Sequence, residues 1–257
     1  LSQEELSQIM RRHTLPSGDM LSKDRIIRGY RELCRREGRA PDRRIVRRLR
    51  VKPTRTISGV APVAVLTKPH PCPGECIFCP EPTGMPKSYL PDEPGAMRAA
   101  AHHFDPYDQT ASRIAALREI GHSVDKIELL ILGGSWSAYP ETYQEWFVRR
   151  CLDAMNGVEA DSLEEAQRLN ETAEHRNVGL VVETRPDLIT PEEVRRLRRL
   201  GATKVQLGVQ SLHDEILTLN KRGHSVAETH RAMRLLRLGG FKIVVHWMPN
   251  LLGATPE

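Results

Sequence analysis

The sequence of 257 residues has few cysteines and no long apolar run. Five cysteines are too few for a secreted domain of this length that is cross-linked by disulfide bonds. A membrane-spanning helix needs about 20 consecutive apolar residues, and no stretch approaches that length, so we expect no membrane segment. The first residues do not read as a signal peptide, and we expect the protein to act in a reducing cytoplasm.

Positive charge is concentrated in the first fifth of the chain. The composition, with 39% hydrophobic and 28% charged residues, is that of a globular protein with one or two domains. Residues 1–58 hold 16 Lys and Arg against 7 Asp and Glu, whereas the remaining residues hold 22 against 26. This asymmetry predicts that the N-terminal segment binds a polyanion.

The N-terminal segment reads as short helices, and arginines surround the apolar stripe of the helix that follows Pro41. At this density, arginines offer bidentate contacts to phosphate groups, although most charge runs are only solvated helix faces. Because the sign of the charge is almost uniform, we favour a nucleic-acid contact. The predicted contact residues are Arg43, Arg44, Arg47, Arg48 and Arg50.

Three of the five cysteines lie within eight residues. Cys72, Cys76 and Cys79 have the spacing Cys-x3-Cys-x2-Cys, which can hold three irons of a [4Fe–4S] cube and leave the fourth iron open. A zinc site with His70 as fourth ligand is the alternative, and inert thiols are a third. The other two cysteines, Cys34 and Cys151, lie on apolar helix faces and are predicted core residues.

From residue 59 onwards, apolar strands alternate with amphipathic helices. This pattern is typical of a parallel sheet with right-handed crossovers. Five such units predict an α/β fold, a partial (β/α) TIM-like barrel over residues 59–257, preceded by a basic helical segment over residues 1–58. The predicted strands are Val63–Leu66, Ile127–Leu132, Val178–Val182, Val205–Val209 and Ile243–His246.

Polar and glycine residues follow the predicted strands. In a (β/α) barrel the carboxyl ends of the strands meet on one face, where active sites form. The cysteine loop should therefore meet residues that are distant from it in sequence. These are Gly133, Gly134, Ser135, Glu183, Arg185, Gln210, Ser211 and His246.

The chain resembles a known family at several runs. The cysteine spacing after a first barrel strand resembles the radical S-adenosylmethionine (SAM) enzymes. More narrowly, the chain resembles the catalytic subunit of Elongator and its archaeal and bacterial relatives. The matching runs include Lys68-Pro69-His70, Glu93–Ala99, Asp105-Pro106-Tyr107, Gly121–Lys126, Glu183–Asp187, Leu207–Ser211 and Arg222-Gly223-His224, in order over about residues 60–250.

The resemblance implies an acyltransferase that acts on the wobble uridine of tRNA by a radical SAM mechanism. A [4Fe–4S] cluster held by the three loop cysteines would cleave SAM, and the radical would take hydrogen from the methyl group of acetyl-CoA. The acetyl carbon would then add to C5 of uridine, and hydrolysis would leave 5-carboxymethyluridine. The implied partners are tRNA, acetyl-CoA and either a second copy of the chain or accessory subunits.

The resemblance also implies roles for single residues. Lys126 matches a lysine associated with acetyl-CoA, and Gly133, Gly134 and Ser135 stand where many radical SAM enzymes have Gly-Gly-Glu. The implied SAM ligands also include Glu183, Arg185 and Gln210. An internal ion pair between Glu183 and Arg185, and core hydrogen bonds of Gln210 and His246, are the alternatives.

The chain ends soon after the fifth predicted strand, where the family would continue. Because residues 59–257 contain no Gln/Arg-x-x-Gly-x-Gly/Ala loop for acyl-CoA, we expect the C-terminal acetyltransferase domain to be missing. Two rival functions stay open. They are a radical SAM enzyme with another substrate and a tRNA-binding platform in which the cluster is structural or absent. A DNA-binding regulator has little support because no clean helix-turn-helix is visible.

Overall fold

A computed structural model describes residues 3–13 and 21–255 of the chain. The chain divides into two compact units. The first comprises Leu1–Ala61 with Ile114–Asp125, and the second comprises Pro62–Arg113 with Lys126–Glu257. None of the helices in the described ranges combines the length and the apolar character that a membrane crossing requires.

The first unit is built from helices, as predicted. Its described elements are α1 (Gln3–Arg12), α2 (Lys23–Arg36), α3 (Arg43–Leu49) and a 3-10 turn at Pro53–Thr56. Leu6, Ile27 and Leu49 pack together as its small core. Cys34 is fully buried, as expected for a structural thiol.

A histidine ties residues 114–125 to the helices of this first unit. His122 Nδ1 lies 2.8 Å from Thr56 Oγ1, and its Nε2 lies 2.9 Å from the carbonyl oxygen of Val51. The Nε of Arg50 donates to the carbonyl oxygen of Gly121 at 3.0 Å. The arginine-rich helix α3 therefore ends in a hydrogen-bonded segment of defined conformation.

The second unit contains one five-stranded sheet with the order β1-β2-β3-β4-β5. Strands β2 to β5 pair in parallel, as the alternating pattern predicts. In the described part of the chain the sheet forms an open, partial barrel. The strands are β1 (Ala61–Leu66), β2 (Lys126–Leu132), β3 (Arg176–Thr184), β4 (Lys204–Gln210) and β5 (Lys242–Trp247).

Helices connect the strands, and their apolar faces pack on the sheet. The central strands bury Ile127, Leu129, Leu180 and Val205, which explains their continuous apolar sequence. Helix α6 buries Cys151, the second predicted core thiol. The remaining helices are α4 (Pro94–Ala101), α5 (Pro106–Glu119), α6 (Glu141–Asn156), α7 (Leu163–Asn170), α8 (Pro191–Arg199), α9 (Asp214–Leu219) and α10 (Val226–Leu238).

The two outer strands of the sheet differ in how they are covered. On β5, Val244, Val245 and Trp247 are exposed. On β1, a glutamine from α5 takes the place of a neighbouring strand: Gln109 Oε1 accepts from the Leu66 N–H, and Gln109 Nε2 donates to the Leu66 carbonyl, both at 2.9 Å. Gln109 thereby satisfies backbone groups at a buried sheet edge.

Replacing this glutamine should destabilise the fold. Gln109→Leu leaves the Leu66 N–H and carbonyl without their buried partner, so we expect the free energy of unfolding to fall by about 2 to 4 kcal/mol. Urea unfolding of the native and variant chains measures the change. The half-buried Gln167, which donates one bond to the Arg199 carbonyl, provides the control, and Gln167→Leu should cost less than about 1 kcal/mol. Equal losses for the two variants would contradict the special role of Gln109.

Candidate active site

A cavity of about 710 Å³ lies at the carboxyl ends of the strands in the second unit. It brings together the cysteine loop after β1, the glycine turn after β2 and the polar ends of β3, β4 and β5, as the barrel prediction requires. The predicted site residues that line it are Cys72, Cys76, Cys79, Gly134, Ser135, Glu183, Arg185, Gln210 and His246.

The three loop cysteines lie in different local environments. Cys76 is buried, whereas Cys72 and Cys79 are half-buried. The Cys72 sulfur lies 3.6 Å from Ser135 Oγ, and the Cys79 sulfur lies 2.7 Å from Ser88 Oγ. Burial raises the pKa of the Cys79 thiol, and the other two cysteines raise it further. Three thiolates in this cavity therefore need positive charge beside them.

Two buried guanidinium groups provide positive charge at Cys76. Arg222 Nη1 lies 3.3 Å from the Cys76 sulfur, and Arg185 Nη1 lies 3.9 Å from the same atom. Arg185 also donates to the Asp187 carboxylate at 3.0 Å and to the Arg222 carbonyl at 2.7 Å. Arg185 is thus paired with Asp187, and the alternative of an ion pair with Glu183 is wrong.

The glycine turn after β2 adopts a backbone conformation that residues with a side chain rarely adopt. Gly133 and Gly134 have φ angles of 131° and 100°. A Cβ at Gly133 would lie 1.9 Å from Thr67 Oγ1. The turn thus passes close to the end of β1 and leaves Gly134 and Ser135 on the cavity wall.

Glu183 is held beside this turn. Its carboxylate accepts a hydrogen bond from the Tyr89 hydroxyl at 2.8 Å. Burial raises the pKa of Glu183, while Tyr89 and the backbone of Gly134 act in the opposite direction. The carboxylate is therefore a positioned hydrogen-bond acceptor that faces the cavity.

Strands β4 and β5 contribute two polar side chains to the same cavity. Gln210 has a left-handed φ of 72°, and the ladder between β4 and β5 shifts register beside it. Its buried Oε1 has no hydrogen-bond partner in the described part of the chain. His246 Nε2 lies 2.9 Å from Gln206 Oε1, which supplies the core hydrogen bond considered for this histidine. Gln210 is the side chain with unused capacity for a ligand.

Lys126 does not line the cavity that the other predicted site residues share. It is exposed and forms the first residue of β2, whereas the cavity lies beyond the last residues of the strands. A strand of seven residues spans about 20 Å. Acetyl-CoA binding by Lys126 stays a prediction, on a part of the sheet remote from the cysteines.

The donor set favours a cluster over a single zinc ion bound with His70. The ring of His70 stacks on Tyr139 with centroids 4.6 Å apart, and its Nε2 lies 3.1 Å from the Ala138 carbonyl oxygen. Within residues 3–13 and 21–255, no three His, Cys, Asp or Glu side chains converge on one ion position. Three thiols spread over one cavity can instead each bind a different iron of a cluster.

Arginines of α3, with Arg50 directly after it, form a surface in the first unit. Arg44, Arg47, Arg48 and Arg50 line a cavity of about 450 Å³ together with Pro53. Arg43 is exposed at the start of the same helix but does not line this cavity. We call the four lining arginines the arginine pocket; its charge and size suit a phosphate group.

A family model described as the radical SAM superfamily matches residues 70–257. The chain belongs to the radical SAM superfamily. This membership confirms the fold class and implies a [4Fe–4S] cluster and SAM. The cysteine cavity fits such a group, because three thiols, a buried guanidinium and the unpartnered Gln210 oxygen all border it.

Curated relatives of this chain are named tRNA uridine(34) acetyltransferase or Elongator complex protein 3. The chain is 53% identical over 215 residues to tRNA uridine(34) acetyltransferase of Methanocaldococcus jannaschii, covering 81% of this chain and 40% of the relative. It is 38% identical over 221 residues to Elongator complex protein 3 of Schizosaccharomyces pombe, covering 80% and 40%. These similarities confirm the resemblance to the archaeal and bacterial Elongator-type proteins.

A solved structure supports the same relationship. The archaeal Methanocaldococcus infernus Elp3 with N-terminal deletion matches with a TM-score of 0.64 and 46% identity, covering 77% of this chain and 39% of that chain. The chain thus spans about two fifths of the length of the relatives that it matches, and the matched part contains the radical SAM fold.

Sequence reasoning missed several residues of the cavity. Arg222 was noticed only within the run Arg222-Gly223-His224, and Tyr89 and Lys87 carried no local motif. Lys87 Nζ donates to the Gly74 carbonyl at 3.0 Å and so holds the cysteine loop. The sequence carries no local signal that Arg222 contacts Cys76.

His224, next to this arginine, should make stability depend on pH. Burial lowers the pKa of His224 to about 4, and the charge of Arg222 acts in the same direction. Because the folded pKa lies below the unfolded value, the stabilisation is present above pH 6.5 and is lost as the pH falls towards 4. We expect a loss on the order of 3 kcal/mol from this group, measured by urea unfolding at each pH.

Two variants test this assignment. His224→Asn should flatten the fall in unfolding free energy between pH 7 and 4. His230→Asn, which removes an exposed histidine of α10, should leave the profile unchanged. An unaltered pH profile in His224→Asn would show that another group titrates.

Proposed function

We propose that this chain is the radical SAM part of an enzyme that converts the wobble uridine of tRNA to 5-carboxymethyluridine, with acetyl-CoA as acyl donor. The observation that carries the proposal is the cavity that collects all three loop cysteines with Glu183 and Gln210. The name of a relative, tRNA uridine(34) acetyltransferase, supports a tRNA uridine as the substrate.

The residues of the cavity support distinct roles. When bound, a [4Fe–4S] cluster supplies the electron that cleaves SAM. Cys72, Cys76 and Cys79 would hold the cluster. Because Gly134 has no side chain, the backbone there would approach SAM closely. Ser135 would form the next part of the cavity wall. Gly133 would shape the turn that carries both residues. Glu183 and Gln210 offer carboxylate and amide oxygens to the ammonium or hydroxyl groups of SAM.

Arg185 and Lys126 would act further from SAM. Since the guanidinium of Arg185 is occupied by Asp187, Arg222 and Cys76, we propose that it serves the SAM site through the cysteine loop. Lys126 would attract the phosphates of acetyl-CoA through its exposed charge. The chain would act in the cytoplasm, as a homodimer or with accessory subunits.

The arginine pocket would bind the tRNA backbone. Phosphate contacts position a nucleic acid without reading its sequence, so the pocket would serve many tRNA species. Selection of the uridine would then take place in the barrel mouth, where an unstacked base can be hydrogen-bonded and stacked.

Cleavage of SAM should require the loop cysteines. After anaerobic reconstitution with iron and sulfide and reduction with dithionite, we expect the 257-residue chain to form 5′-deoxyadenosine from SAM. The triple variant Cys72→Ala, Cys76→Ala and Cys79→Ala should yield only background, because no thiolate remains to hold iron. Quantifying 5′-deoxyadenosine by chromatography measures this, with Cys151→Ala as a control that keeps the loop intact.

Two outcomes would contradict the proposal. A native chain that carries a cluster but forms no 5′-deoxyadenosine would show that its SAM site does not function. A native chain that binds zinc in place of iron would favour the rival function, a tRNA-binding platform without SAM chemistry.

Binding of tRNA should depend on the arginines of α3. Changing Arg43, Arg44, Arg47 and Arg48 together to alanine should weaken binding by about tenfold or more, across several tRNA species. The slope of log affinity against log salt concentration should also become shallower, by up to about 0.9 for each lost phosphate contact. Fluorescence anisotropy at a series of salt concentrations measures both quantities.

A matched control lies on the neighbouring helix. Arg35 and Arg36 of α2 are exposed but form ion pairs with Glu32. Changing both to alanine should alter the affinity and the salt slope far less than the α3 variant. An α3 variant with native affinity at every salt concentration would refute this binding surface.

A further inference from the structure

An arginine from the turn between α9 and α10 contacts the middle cysteine of the cysteine loop. Arg222 is 7% exposed, and its Nη1 donates to the Cys76 sulfur at 3.3 Å. Its Nη2 donates to the Gly208 carbonyl in β4 at 2.6 Å. One guanidinium therefore links the cysteine loop to a central strand of the sheet.

Among the described residues, no carboxylate forms an ion pair with Arg222. Arg185, the other guanidinium at Cys76, pairs with Asp187. No ion pair to Arg222 forms among the described residues, and its buried Nε has no partner there. A buried charge is costly to leave uncompensated, so a negative group is expected beside it. Cysteine thiolates that bind iron are such a group.

The surrounding glycines leave room for these guanidinium groups. A Cβ at Gly208 would lie 2.6 Å from Arg222 Nη2, and a Cβ at Gly74 would lie 2.1 Å from Arg185 Nη1. Gly208 lies within β4, where a glycine weakens the strand unless another group approaches closely. At both positions, therefore, a glycine leaves the space that the neighbouring guanidinium group occupies beside Cys76.

We propose that Arg222 is a positioning residue for the cluster, which raises its reduction potential by directing a charged hydrogen-bond donor at the Cys76 sulfur. The inference rests on the cluster binding in the proposed function. Reduction adds an electron to the cluster, and a cation that donates to its sulfur stabilises the added charge. Hydrogen bonds to cluster sulfurs and burial are established determinants of such potentials.

The test is a redox titration of the reconstituted chain, followed by the electron paramagnetic resonance signal of the reduced cluster. Arg222→Gln removes the charge, and we expect the cluster to be at least about tenfold harder to reduce, a shift of about 59 mV to more negative potential for one electron. Lys221→Gln removes an exposed charge from the adjacent residue and should leave the potential nearly unchanged.

Two further variants separate the charge of Arg222 from its position. Arg222→Lys keeps the charge and should recover part of the shift. Gly208→Ala keeps the arginine but pushes its Nη2 away from the Gly208 carbonyl, so it should also lower the potential. Iron content and circular dichroism show in each case whether the variant is folded and loaded.

The outcomes distinguish this inference from the proposed function. A native chain that assembles no cluster would overturn both. A native cluster whose potential is unchanged in loaded Arg222→Gln and Gly208→Ala would overturn the role of Arg222 alone. Equal shifts in Arg222→Gln and Lys221→Gln would also overturn it, because a distant charge would then act as strongly as the donor at Cys76.

Discussion

The parallel sheet imposes the constraint from which the site follows. Parallel strands deliver all their carboxyl ends to the same edge of the sheet, so residues that are far apart in sequence meet there without any local motif. Cys76 and Arg222, 146 residues apart, are in hydrogen-bond contact for this reason. The buried apolar strands that form the core thus also place the polar groups that line the cavity.

The arrangement of side chains in the cavity depends on their charges as well as on its shape. Three thiols, two guanidinium groups and the Glu183 carboxylate border the cavity, and the Asp187 carboxylate pairs with one of the two guanidinium groups. In such surroundings each ion needs a partner, and Asp187 supplies one only for Arg185. The remaining positive charge complements what a thiolate-bound cluster would bring. Glu183 forms no ion pair within the described part of the chain, and the neutral donor Tyr89 holds its carboxylate instead.

Much of the fold could be predicted from the sequence, because apolar periodicity reports burial directly. Each predicted strand lies within its observed strand, and polar end residues such as Lys204 and Gln210 extend the ladders beyond the apolar runs. The cysteine spacing likewise located the cavity. The pairing of Arg185 with Asp187 and the contact of Arg222 with Cys76 had no periodic signal. Lys126 lies at the amino end of β2, away from the cavity, and its contact with acetyl-CoA stays a prediction.

The central claim is that the cavity holds a cluster with one iron open to SAM. The most direct test is the iron content of the anaerobically reconstituted chain, combined with the electron paramagnetic resonance spectrum of the reduced protein before and after SAM is added. The account predicts about four irons per chain and a spectrum that changes when SAM binds the open iron. A single bound metal ion, or a four-iron spectrum that SAM leaves unchanged, would contradict it.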